Sequence, residues 1–126
     1  MNTEKLASSS EQKVLNVLLE SKSKMVVKEI CKIVKEQDGI EWNVRTVSTF
    51  LVRLEEKKLV SHEKIGITNY YYPIVEGEAY KMKASKSFLK SYYNGSLTNM
   101  LSAFTDSGEL SEEDIKELRD IIDKLK

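Results

Sequence analysis

Apolar residues recur along the first part of the chain with a helical period. Val14, Leu15, Leu18 and Leu19 follow Ser8 and Glu11, which have capping-box spacing, and predict a helix from about Ser8 to Glu20. After the polar break SKSK, the residues Val26, Val27, Ile30, Ile33 and Val34 predict a second helix to about Gln37. DGIEW reads as a turn around Gly39, and Asn43 is a plausible N-cap for a third helix to about Lys57. Beyond Lys58 the pattern changes. LVSHEKIGITNYYYPIV is rich in Val, Ile, Thr and Tyr with a glycine at its middle, and predicts a hairpin of two short strands around Ile65–Ile67. Pro73 suits the end of an edge strand because it cannot donate to a ladder. Three helices followed by a hairpin is the winged helix-turn-helix plan.

The remaining pattern is helical again. Tyr80, Ala84, Phe88 and Tyr92 recur every fourth residue across 77–93, and Leu97, Met100, Leu101 and Phe104 mark a further helix over 96–105. TDSGE is a turn. Ser111 and Asp114 form a second capping box ahead of Ile115, Leu118, Ile121, Ile122 and Leu125. The expected fold is mainly α with a small β-hairpin wing. A winged helix-turn-helix domain is expected over residues 1–75 and a helical dimerisation region over 76–126. Some fifty residues in three helices is near the size at which a lone domain is marginal. Their apolar stripes, represented by Phe88, Leu97, Met100, Leu101, Phe104, Ile115, Leu118 and Ile122, are expected to pack against a second copy of the same helices in a symmetric homodimer.

The third helix has an unusual outward face. On a helical wheel Val44, Val47, Phe50, Leu51 and Leu54 share one side and are expected to pack on the first two helices. Arg45, Ser48, Thr49 and Val52 share the other, where a surface helix more often carries long Lys and Glu side chains. Short hydroxyl side chains let a helix sink into a major groove. Arg can donate twice to guanine O6 and N7, and Thr offers a hydroxyl and a methyl. Arg45, Thr46, Ser48 and Thr49 are therefore candidate base-reading residues, with Arg53 and the wing residues Lys64, Thr68 and Asn69 as candidates for the phosphate backbone.

Composition, at 40% hydrophobic and 32% charged, is that of a globular chain, and no apolar run is long enough to cross a bilayer. The N-terminal MNTEKLASSSEQ lacks the apolar core of a secretory signal, and Cys31 has no partner for a disulfide, so a cytoplasmic protein is expected. The formal net charge is zero, which favours a second reading: a winged helix that docks on another protein. The distribution is uneven, however. Residues 79–95 hold four Lys and no acid, whereas residues 106–126 hold eight acids against four bases. Cys31 reads as a core filler and His62 as a wing-strand surface residue. There is no metal-ligand spacing, no Gly-rich phosphate loop and no nucleophile with a nearby base, so neither cofactor, metal nor catalysis is expected.

A family resemblance adds to this. WNVRTVSTFLVRL followed by EEKKLV resembles the recognition helix of the penicillinase repressor family, with Thr46, Val47, Thr49, Leu51, Arg53 and Leu54 matching its pattern. YYYP at 70–73 looks like the family's second wing strand. YKMKASKSFL at 80–89 and LSEEDIKELR at 110–119 are similar to its linker and final helices. The resemblance implies a homodimer that binds a palindromic double-stranded DNA operator and blocks transcription. In the antibiotic-responsive members a membrane sensor protease triggers cleavage of an Asn-Phe bond. The resemblance puts that site at Ala103–Phe104, where the Phe is kept and Ala replaces Asn. Those members also carry Arg where this chain has Ser48. The Cys-x-Cys motifs of the copper-responsive members are absent from the terminal IIDKLK. Derepression by proteolysis at that bond, or by a ligand in the dimer seam, is the expectation that follows.

Overall fold

The structure, a computed structural model, describes residues 6–125. Its elements are α1 (Ser9–Glu20), α2 (Val27–Asp38), α3 (Val44–Glu56), β1 (Val60–Ile65), β2 (Thr68–Pro73), α4 (Gly77–Tyr93), α5 (Leu97–Asp106) and α6 (Glu112–Lys124). The chain divides after Lys81 into two compact units.

In the first unit each helix is bounded by local chemistry. Ser8 and Glu11 close a reciprocal capping box at the start of α1, with bonds of 3.2 and 3.3 Å. Glu29 accepts the Val26 N–H at 3.2 Å to open α2, and Gly39, in the left-handed region at φ 69°, ends it. Asn43 caps α3 by accepting the Thr46 N–H at 2.8 Å. Lys58 terminates α3 in the left-handed region at φ 62°, and the Leu59 N–H turns back to the Leu54 carbonyl at 3.0 Å.

The three helices enclose Val14, Leu15, Leu18, Ile30, Val34, Val47, Leu51 and Leu54, all buried. Val44 departs from the expected core row. It is the first residue of α3, lies at the end of the row rather than beneath it, and is 43% exposed. Phe50 is half-buried and meets Trp42 edge-on at 4.8 Å, so the tryptophan anchors the entry to α3. β1 and β2 pair antiparallel from Val60↔Pro73 to Ile65↔Thr68. The hairpin is pinned to the helices by a bridge that the sequence pattern does not announce: Met25 and Tyr71 exchange backbone bonds of 2.9 and 2.7 Å. Tyr71 is buried while Tyr70 and Tyr72 are half-buried, as strand alternation requires. Tyr80 of α4 completes the unit; its hydroxyl accepts the Ala7 N–H at 2.9 Å and donates to Gln12 at 3.2 Å.

In the second unit Ser96 caps α5, and Ser111 with Asp114 forms a capping box on α6. Asn94 and Gly95, both in the left-handed region, make the turn that precedes α5. Neither α5 nor α6 has a buried residue. Phe88, Leu97, Phe104 and Ile122 are exposed, and Met100, Leu101, Ile115 and Leu118 are half-buried. No helix among the described residues is long and apolar enough to cross a membrane.

One ion pair ties the start of α1 to the end of α3: Lys57 Nζ lies 2.5 Å from the Glu11 carboxylate, whose side chain is 4% exposed against 22% for the lysine. Burial pushes the Glu11 carboxyl up, but bonds from Lys57 and Ser8 outweigh it and hold the group below its usual range. The folded value is depressed, so its contribution is present above the usual carboxylate range and is lost as pH falls through the depressed value. Lys57→Ala leaves a buried carboxylate with only the Ser8 bonds. It is expected to cost about 2 kcal/mol, between an exposed and a fully buried pair. The cost should be full at neutral pH and shrink as pH falls through the depressed Glu11 value, where the wild type loses the same contribution. Urea titrations of the two chains across an acid pH series check both effects.

Candidate nucleic-acid interface

Because Val47, Leu51 and Leu54 are fully buried against the other helices, the rotation of α3 about its own axis is fixed. The opposite face then has to meet solvent. Arg45, Thr49, Val52 and Arg53 are exposed, and Thr46 and Ser48 are half-buried. From Trp42 to Leu54 this segment carries two arginines and no acid. Thr49 is less free than the wheel suggests. Its hydroxyl donates to the Arg45 carbonyl at 3.0 Å, as helical threonines often do, leaving lone pairs and the methyl for any ligand.

The wing brings further groups to this side. Lys64 stands opposite Asn69, and Ile65 opposite Thr68, with Gly66 and Ile67 as the two-residue tip. By alternation Lys64 shares a face with His62, which is bonded to Glu55 of α3 at 2.7 Å and lies against Tyr71 at 5.3 Å. An open cleft of about 390 Å³ runs between the wing and the helices, lined by Val26–Lys28 at the start of α2, Ser48 of α3, and Ile67–Asn69 of the wing. The Asn69 Oδ1 is buried with no hydrogen-bond partner. Ser48, Thr68 and Asn69 therefore share one concave site, whereas Arg45 and Arg53 are not part of its lining. Lys28 and Ile67 are additions to the residues expected from sequence. Nothing in the pattern of α2 reveals that its first turn borders the wing, because that depends on how the helices cross.

Charge is partitioned in a telling way. Lys13, Lys24, Lys35 and Lys57 pair with Asp38, Glu63, Glu41 and Glu11. Among the described residues no carboxylate lies in ion-pair range of Lys28, Arg45, Arg53 or Lys64. The unpaired cations of this unit thus include those that frame α3 and the wing.

No group of three or more potential metal ligands occurs among the described residues. Cys31 is half-buried, and burial pushes its thiol up, away from the thiolate that metal binding needs.

A family model described as Penicillinase repressor matches residues 7–124. The chain belongs to the penicillinase repressor family. The methicillin resistance regulatory protein MecI of Staphylococcus aureus (strain N315) is 31% identical over 117 residues, 93% of each chain. The penicillinase repressor of Bacillus licheniformis is 33% identical over 122 residues, 94% of this chain and 91% of that one. Among solved structures, RosR of H. salinarum shares the fold, with a TM-score of 0.55 at 20% identity over 86% of this chain and 100% of that one. The penicillinase repressor family is one of transcriptional repressors, not of enzymes.

The candidate surface depends on a well-formed first turn of α3. Asn43→Ala removes the cap on the Thr46 N–H and is expected to cost about 1 kcal/mol. Amide exchange should quicken over the first turn of α3 before the rest of the helix, and Asn43→Ser or Asn43→Asp should restore protection. A uniform change along all three helices would place the loss elsewhere.

Proposed function

We propose that this protein is a homodimeric, sequence-specific DNA-binding repressor that acts on a palindromic operator, with α3 in the major groove of each half-site. The observation that carries the proposal is the acid-free, short-side-chain face of α3, held outward by its buried opposite side and framed by unpaired Arg45, Arg53 and Lys64. The names of the relatives support the reading, since they are a regulatory protein and a repressor. In this reading Arg45, Thr46, Ser48 and Thr49 meet base edges. Arg53, Lys64, Thr68 and Asn69 meet phosphates and fix the register.

The second unit supplies the reason for two copies. α5 and α6 bury no residue of their own, and their exposed Phe104 and Ile122 belong to amphipathic stripes that a two-fold copy would cover. Release of the operator would follow from loss of that pairing, through cleavage at Ala103–Phe104 by a sensor protease or through a ligand in the seam. Ala103 and Phe104 are exposed near the end of α5. Their carbonyls accept from the Ser107 and Glu109 N–H groups at 3.2 and 3.1 Å, so a protease would need that helix end to open. The intact mass of the chain under derepressing conditions separates cleavage from ligand binding.

The test is selection from a random duplex pool followed by gel shift. A palindrome should be enriched at moderate salt. Arg45→Ala should then cost about 1–3 kcal/mol in each half-site and relax the preference at one position per half-site. Lys64→Ala should weaken binding to all duplexes alike and reduce the salt slope of the dimer by about two, one for each subunit. No enriched palindrome, or a salt-insensitive complex with a protein in its place, would contradict the proposal. Sedimentation adds a second check: the wild type should be a dimer, and Phe104→Glu should shift it toward monomer and weaken operator binding.

A further inference from the structure

The wing tip carries the most exposed large apolar residue of the described chain: Ile67, at 96%. The chain spends no flexibility on it. β1 and β2 remain paired up to Ile65↔Thr68, leaving only Gly66 and Ile67 to turn the corner. Gly66 is in the left-handed region at φ 65° and Ile67 is not, the pattern of a type II′ hairpin turn whose twist matches its strands. Nothing would meet a Cβ at Gly66 within 4 Å, so the turn is made without packing at that residue. An isoleucine fixed in water at a rigid turn gains nothing for folding.

Its position connects it to the surface already described. Ile67 lines the same cleft as Ser48 of α3 and Lys28 of α2, so the tip borders the face assigned to the duplex. Ile65, beside it, is also exposed, and Lys64 next to Ile65 has no carboxylate partner among the described residues. An apolar point backed by a free cation is poorly suited to phosphates alone. It matches the minor groove, where proteins insert Ile, Leu, Phe or Met between base steps while basic residues hold the flanking strands.

We propose that Ile67 is a wedge: its side chain enters the minor groove beside the segment read by α3, partly unstacks one base step in each half-site, and thereby adds a preference for easily deformed sequence where the protein makes no base hydrogen bond. The inference rests on the DNA-binding reading above. It differs in assigning the wing tip a specificity role through shape, where backbone positioning was all that its polar residues suggested.

The experiment uses the full chain and the duplex that the wild type enriches from a random pool. 2-Aminopurine replaces adenine at successive positions outside the stretch protected by α3, and its fluorescence reports unstacking. The wild type should raise the signal several-fold at one step per half-site and should discriminate against stiff, G·C-rich steps there. Ile67→Ala and Ile67→Ser should abolish the rise and weaken binding about tenfold for each half-site, the order expected for exposing one aliphatic side chain again in each subunit. Neither variant should change the salt slope, because no charge is lost. Ile67→Leu should restore both signals. Ile67 makes no packing contribution that these changes could remove, and coincident thermal melts would verify it. Unchanged affinity and fluorescence in Ile67→Ala overturn the wedge while leaving DNA binding intact. Loss of affinity accompanied by a shift in sedimentation assigns the tip to a subunit contact and also overturns it. Failure of the wild type to enrich any duplex refutes the DNA reading itself, and the wedge with it.

Discussion

The first unit depends on a single constraint, the burial of Val47, Leu51 and Leu54 against α1 and α2. These residues lie on one side of a helix with 3.6 residues per turn, so burying them determines where every other residue of α3 points. Arg45, Thr49, Val52 and Arg53 are exposed as a consequence. The ends of the helix reinforce the same orientation. Trp42 and Asn43 fix the entry, while Lys57 draws the exit to Glu11 at the start of α1. The Met25–Tyr71 bridge then sets the wing against this scaffold. A helix secured at both ends and along one side can present a surface with little reorganisation, which is what recognition of a rigid duplex rewards.

Neutral total charge is compatible with a basic face because the charges are spent unevenly. Four lysines of the first unit are engaged with carboxylates in pairs that serve the fold, and the arginines of α3 are not. The excess acid sits beyond residue 105, in another unit. Glu55 near the end of α3 and Glu63 in β1 are themselves occupied by His62 and Lys24. Net charge measures the whole chain; a groove in DNA senses only the few side chains within a Debye length, about 8–10 Å at physiological salt.

Much of this was legible in the sequence, for reasons that are local. Ser8–Glu11, Asn43 and Ser111–Asp114 announced helix starts because a capping bond spans three residues. The hairpin around Ile65–Ile67 followed from one glycine among β-formers, whereas its two-residue tip is set by the strand register. The penicillinase repressor family was likewise visible in the third helix and wing. What escaped were non-local consequences. The border between Lys28 and the wing depends on a helix crossing angle, and the Met25–Tyr71 bridge joins residues far apart in the chain. The back-bonding of Thr49 and the exposure of Val44 are matters of a rotamer and of a helix end, to which a wheel is blind. For the second unit the stripes were plain in the periodicity, whereas their cover is proposed to lie in another copy.

The central claim is that the outward face of α3 enters duplex DNA. Amide spectra of the isotopically labelled full chain, titrated with the enriched duplex, test it most directly. Residues 44–53 and the wing tip at 64–69 should shift or broaden, with Val14, Leu15 and Leu18 in the interior of α1 nearly unmoved. Perturbations that spare α3 and gather elsewhere in the first unit would contradict the claim.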